Sequence, residues 1–102
     1  MVYDTRLDDE GLYANSSVTP LQADVRDWGV LSDAMKRYRI KEVHHLAAEL
    51  EVLKSIQDPY ADAGVNLMGT LSVLKACKAN RIRKMVFASS GAVYGAPVYL
   101  PM

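Results

Sequence analysis

Polar or small residues stand at the end of each predicted strand of this sequence. They are Asp4, the pair Asp24-Val25, the run 46–48 and the pair Ser89-Ser90. A lone aspartate at a strand end is more often a helix cap or a turn former than a ligand. The carboxyl ends of parallel strands, however, meet at one edge of an open sheet, where ligands bind. The four strand ends together therefore predict a binding site at that edge.

The elements that must position these residues alternate along the chain. We predict strands over 2–5, 18–23, 42–48 and 84–90, and helices over 27–39 and 58–78, by hydrophobic periodicity and turn residues. Asp27 is expected to cap the first helix, and Asn80 to end the second in the left-handed conformation. Strands that alternate with helices indicate an α/β fold, in which crossover helices connect parallel strands.

Composition excludes several classes of protein. The 102 residues suffice for one small domain, and 12 basic side chains balance 12 acidic ones. This balance gives no electrostatic reason to expect a nucleic acid or a membrane surface as partner.

The N-terminal residues do not resemble a signal peptide, and Cys77 is expected to be a buried core residue, which favours a cytoplasmic location. His44 and His45 should point to opposite faces of a strand, and no metal site is expected.

Four motifs in a fixed order carry a family resemblance. They are HLAA (45–48), S-x-x-D-P (55–59), N-x-x-G-T-x-x-V-L-x-A (66–76) and VFASSGAVYG (86–95). The chain resembles the extended short-chain dehydrogenase/reductase family, and within it the NAD-dependent sugar-nucleotide epimerases and dehydratases of the UDP-glucose 4-epimerase type. The resemblance implies a Rossmann-type parallel sheet, NAD as cofactor and a nucleotide-sugar substrate in the intact enzyme.

The resemblance also implies a role for each cofactor-binding position. Asp4 would accept hydrogen bonds from the adenosine ribose, which suits NAD rather than NADP. Asp24 would accept from the exocyclic amine of adenine, and Val25 would pack on the ring. The segment that would line the pyrophosphate and the nicotinamide ribose consists of Leu46, Ala47 and Ala48.

The remaining roles that the resemblance implies belong to the active site. Asn66 would hold backbone and water in the active-site network. Ser90 would hydrogen-bond the substrate hydroxyl that is oxidised, as the catalytic serine. Tyr94 would line the substrate pocket.

Two motifs of that family are absent from the sequence. No G-x-x-G-x-x-G turn occurs, and neither Tyr94 nor Tyr99 begins a Y-x-x-x-K motif. We therefore expect a partial Rossmann-type domain over 1–102 that lacks the first strand and the C-terminal region. The strands beside the missing one would have unpaired edges, which could pair with another copy of the chain.

Three interpretations remain open on the sequence alone. The first is a fragment of an NAD-dependent sugar-nucleotide epimerase or dehydratase that is inactive by itself. The second is a non-catalytic nucleotide-binding or interaction module on the same scaffold. The third is a product without function.

Overall fold

The computed structural model describes residues 2–3 and 17–100, and Asp4 lies outside this part. The elements alternate between strand and helix, as predicted. In chain order they are β1 (Val2–Tyr3), β2 (Leu21–Gln22), α1 (Trp28–Arg37), β3 (Glu42–His45), α2 (Val52–Gln57), α3 (Pro59–Ala63), a π-helical segment (Gly64–Gly69), α4 (Thr70–Ala79), β4 (Lys84–Phe87) and a 3₁₀ turn (Gly91–Tyr94).

The strands form two separate parallel pairs within the described residues. β1 pairs with β2, and β3 pairs with β4 in the register Glu42↔Lys84 to His45↔Phe87. The predicted strands over 18–23, 42–48 and 84–90 are longer than the observed ones. The β3–β4 pairing ends after the hydrogen bond from the Ala88 N–H to the His45 carbonyl, so the residues beyond it leave the ladder.

Helix α1 begins at the predicted cap. The Asp27 carboxylate accepts a hydrogen bond of 3.1 Å from the Val30 N–H, which satisfies a free donor of the first turn. The helix ends at Arg37, two residues before the predicted limit, because Arg39 adopts a φ of 51°. This left-handed residue reverses the chain toward β3.

The second predicted helix is observed from Pro59 to Ala79, with a π-helical segment inside it. The prediction that Asn80 takes the left-handed conformation is wrong, since Arg81 has a φ of 54° and Asn80 a φ of −99°. Asn80 instead donates its side-chain amide to the Ser32 hydroxyl and to the Ala76 carbonyl. Asn80 makes these bonds with backbone angles of φ −99° and ψ 8°. The short helix α2 was not predicted.

The core lies where α1 packs against α4. Its buried members are Leu31, Met35, Val73, Ala76 and Cys77. Leu31 is only 1% exposed, and burying such a side chain contributes about 1.5–3 kcal/mol. Cys77 is buried as predicted, and burial raises the pKa of its thiol. Among the described residues, no helix has the length and apolar character that crossing a membrane requires.

Candidate functional site

The carboxyl ends of β3 and β4 lie side by side. Their register places the segments 46–48 and 88–90 at the same edge of the pair. All six residues of these segments are exposed, and Leu46 retains 70% of its accessible surface. Alanine and serine side chains leave room beside the backbone, so this edge offers an open shelf of backbone and hydroxyl groups. We call it the strand-end shelf.

Asn66 ties the segment after the shelf to the long helix. Its side-chain oxygen accepts a hydrogen bond of 2.8 Å from the Glu49 N–H, and its amide donates at 3.0 Å to the Glu49 carbonyl. The amide also donates at 3.0 Å to Asp62, one turn earlier. Asn66 therefore fixes the backbone that directly follows Ala48. It lies in the π-helical segment, a geometry that is frequent at functional sites.

A second link runs from β3 to the same helix. The Thr70 hydroxyl donates at 2.7 Å to the Asn66 carbonyl, so it can only accept from His45 at 3.0 Å. His45 Nε2 therefore carries a proton, whether the ring is neutral or charged. His45 is 4% exposed, and burial lowers its pKa. His45 thus packs inside and His44 outside, as the alternation of a strand predicts.

Val25 contacts the long helix at Gly69. A Cβ placed on Gly69 would lie 2.7 Å from Val25 Cγ2, closer than real carbon contacts allow. Only glycine at this position therefore lets the residues after β2 come so close to the helix. The contact leaves Val25 partly buried against the core.

Asp24, beside Val25, is held by Arg26. Asp24 Oδ1 accepts from the Arg26 backbone N–H at 2.8 Å and from Nε at 2.9 Å, and Oδ2 accepts from Nη2 at 2.5 Å. These bonds lower the pKa of Asp24 from 3.8 to about 2. The carboxylate is therefore ionised at neutral pH. About half of each side chain remains exposed to solvent.

Ser90 caps the 3₁₀ turn that follows the shelf. Its hydroxyl oxygen accepts a hydrogen bond of 3.1 Å from the Ala92 N–H. This bond uses an oxygen lone pair and leaves the hydroxyl proton free for another acceptor. Tyr94 ends the turn and is 76% exposed.

An open cleft of about 210 Å³ adjoins the helical side of the site. Both cationic and anionic side chains line it, among them Arg26, Lys54, Asp58 and Asp62. Within residues 2–3 and 17–100, no three His, Cys, Asp or Glu side chains are grouped so that they could hold a metal ion.

The structure thus brings several predicted site residues together through the helix 59–79. Asn66 contacts the segment after Ala48, and Gly69 contacts Val25, the neighbour of Asp24. Arg26 and Gly69 were not predicted as site residues. The spacing of Asp24 and Arg26, two residues apart around a turn, is compatible with their ion pair, but the sequence alone does not indicate it.

Comparison with known proteins identifies the family. The sequence profile of GDP-mannose 4,6 dehydratase matches residues 3–102. The chain belongs to this family. It is a member of the NAD-dependent epimerases and dehydratases, as the four motifs indicate, and it has the α/β fold with a partial Rossmann-type parallel sheet.

Individual relatives are UDP-glucose 4-epimerases. The human enzyme is 40% identical over 81 residues, which make up 79% of this chain and 23% of the relative. The structure resembles that of the Stenotrophomonas maltophila UDP-glucose 4-epimerase with bound NAD and formylated UDP-arabinopyranose, at a TM-score of 0.77 and 31% identity over 82% of this chain and 25% of the other.

A second solved structure similar to this chain is the Bifidobacterium longum UDP-glucose 4-epimerase in complex with NAD⁺ and UDP. Its TM-score is 0.75 at 34% identity, with 83% of this chain and 25% of the other covered. The chain therefore spans about a quarter of the length of the relatives that it matches.

Proposed function

We propose that this chain forms part of the NAD-binding region of a sugar-nucleotide epimerase or dehydratase similar to UDP-glucose 4-epimerase. The observation that carries the proposal is the arrangement around the helix 59–79. Asn66 fixes the backbone after the strand-end shelf, and Gly69 admits Val25 beside Asp24. One rigid element thereby supports two segments to which the family resemblance assigns cofactor contacts.

The residues present suit a dinucleotide. The ionised Asp24 carboxylate can accept from the exocyclic amine of adenine, and Val25 can pack on the ring. The small side chains of Ala47 and Ala48 leave their backbone open to a phosphate or a ribose. When bound, NAD supplies an acceptor for the hydride that leaves the sugar carbon. Asp4, which would contact the adenosine ribose, lies outside the described residues and stays a prediction.

On the substrate side, we assign the catalytic contact to Ser90. Its hydroxyl proton is not used by the Ala92 cap, so it can be donated to a sugar oxygen at the shelf. That hydrogen bond would orient the substrate hydroxyl for proton removal. The exposed Tyr94 ring would line the pocket beside the nucleotide sugar.

We expect no turnover from the chain alone. The sequence has no Y-x-x-x-K motif, whose tyrosine is the general base in the family, and no glycine-rich phosphate turn. Proton removal from the sugar therefore lacks its base. In this proposal the chain is a fragment whose activity depends on further sequence.

NAD binding is tested by isothermal titration of the purified chain. We expect the wild-type chain to bind NAD and Asp24→Ala to bind it with several-fold lower affinity. The matched variant Asp33→Ala, at an exposed position of α1, should bind NAD as wild type does. Epimerase assays with UDP-glucose should show no product. The absence of NAD binding by folded wild-type chain would contradict the proposal, and turnover would contradict the expected inactivity.

A second candidate is a non-catalytic nucleotide-binding or interaction module. The observation that favours it is the separation of β1–β2 from β3–β4, which leaves strand edges unpaired within the described residues. Such edges can pair with another chain, so we propose homo-oligomers formed through them. Light scattering coupled to gel filtration tests this, and a monomer at high concentration would contradict it. The cytoplasmic location expected from the sequence stays a prediction.

A further inference from the structure

Arg26 saturates most of the hydrogen-bonding capacity of Asp24. Two donors reach Oδ1, the backbone N–H at 2.8 Å and Nε at 2.9 Å, and one donor, Nη2, reaches Oδ2 at 2.5 Å. A carboxylate has about four acceptor positions, two on each oxygen. Within the described part of the chain, the remaining position is therefore the second lone pair of Oδ2.

Arg26 itself is anchored at both ends. The Ser72 hydroxyl donates at 3.1 Å to the Arg26 carbonyl, which holds the backbone against the long helix. The side chain crosses the helix at Gly64, where an added Cβ would lie 3.9 Å from both Cδ and Nη1. Arg26 also forms part of the wall of the 210 Å³ cleft. The arginine whose guanidinium binds Asp24 is thus held by the helix 59–79, the same element that carries Asn66.

A carboxylate held in this way discriminates between purine bases. With a single free acceptor in a fixed direction, it can take one N–H from the exocyclic amine of adenine. Hypoxanthine has a carbonyl at that place, and two oxygens there repel each other. A carboxylate that is free to rotate could instead accept from N1–H of hypoxanthine, because that donor lies next to the carbonyl. The restraint on rotation therefore sets the selectivity.

We propose that Arg26 is a positioning residue that selects adenine over hypoxanthine by fixing the orientation of the Asp24 carboxylate. This inference rests on the proposed function, because it takes the dinucleotide site as given and names the residue that sets its base specificity. Arg26 acts through Asp24 and needs no contact with the base.

The test compares NAD with nicotinamide hypoxanthine dinucleotide by isothermal titration of the full chain. For wild type we expect a preference for NAD of about tenfold, the equivalent of roughly 1.4 kcal/mol. In Arg26→Gln the preference should fall to about threefold or less, since both guanidinium bonds are lost and the carboxylate can rotate about the one remaining bond, from the backbone N–H to Oδ1. A general loss of structure would weaken both ligands alike and leave the ratio unchanged. The matched control is Arg83→Gln, an exposed arginine next to β4.

The possible results separate the two levels of the argument. A wild-type preference that collapses in Arg26→Gln and persists in Arg83→Gln supports the inference. An unchanged ratio in Arg26→Gln that has the circular dichroism spectrum of wild type, or a collapse of the ratio in both variants, overturns the inference while the NAD site stands. Failure of the folded wild-type chain to bind either dinucleotide overturns the proposed function, and the role of Arg26 with it.

Discussion

The contact between Gly69 and Val25 makes a quantitative prediction about stability. Gly69 has helical angles, φ −60° and ψ −46°, so its backbone conformation suits any residue. Among the described residues, the side chain that an added Cβ would meet is that of Val25, whose Cγ2 lies 2.7 Å and whose Cβ lies 3.5 Å from its position. Valine is stiff about χ1 and cannot simply rotate away. Gly69→Ala therefore forces the two segments apart.

The size of the effect follows from two opposing terms. Overpacking by a methyl group in a tight contact costs about 1–3 kcal/mol. Replacing glycine by alanine in a helix recovers about 1 kcal/mol. We expect Gly69→Ala to lower the free energy of unfolding by roughly 1 kcal/mol. The matched control is Gly64→Ala, where the angles are also helical, −57° and −47°, and the nearest atoms lie 3.9 Å away. That variant should gain about 0.5–1 kcal/mol.

Urea unfolding followed by circular dichroism measures all four members of a double-mutant cycle with Val25→Ala. Removing Val25 Cγ2 removes the clash, so Gly69→Ala should be harmless or stabilising in that background. The expected coupling is about 1–2 kcal/mol in the favourable direction. Additive effects of the two substitutions, or equal effects of Gly69→Ala and Gly64→Ala, would refute the packing that we describe.

Three further predictions follow from the hydrogen bonds and charges. Asn66→Ala loses both bonds to the Glu49 backbone and should destabilise the fold by about 1–2 kcal/mol, with faster hydrogen exchange of the Glu49 amide. The pKa of Asp24 is lowered from 3.8 to about 2, so its ion pair stabilises the fold above about pH 4 and this stabilisation is lost as the pH falls toward 2. Asp24→Asn should remove this acid-dependent part of the stability, which is about 0.5 kcal/mol after solvent screening at a half-exposed site. Burial lowers the pKa of His45, so the unfolded chain binds its proton better and stability should begin to fall below about pH 6.5; His45→Gln should flatten that part of the pH profile in urea titrations.

Local signals in the sequence predict most of the fold. Asp27 indicates the start of α1 because a carboxylate at that position satisfies free N–H groups regardless of the tertiary structure. The spacing of Val73 and Ala76 predicts the buried face of α4 for the same kind of reason. The turn after that helix was predicted one residue too early. The Asn80 side chain donates a hydrogen bond to Ser32 of the neighbouring helix α1, and the sequence alone does not show which residues of two helices pack together.

The parts of the site that escaped prediction depend on contacts between distant segments. In the sequence, Gly69 cannot be distinguished from any other glycine, because its contact with Val25 depends on the packing of two distant segments. Likewise, the sequence does not show that the Ser72 hydroxyl donates a hydrogen bond to the Arg26 carbonyl. Motif resemblance points to positions such as Asn66, because it records residue types in order. It contains no information on which backbone group each side chain holds.

The link between the two strand pairs lies in the helix rather than in the sheet. Within the described residues, no ladder joins β1–β2 to β3–β4. The helix 59–79 contacts the segment after β2 through Gly69 and Ser72. It contacts β3 and the segment after that strand through Thr70 and Asn66. These four residues lie within two turns, at about 1.5 Å of rise per residue. The relative placement of the two strand ends is therefore set over a short, hydrogen-bonded span. Substitutions in that span should disturb both halves of the site together, whereas substitutions at the strand edges should not.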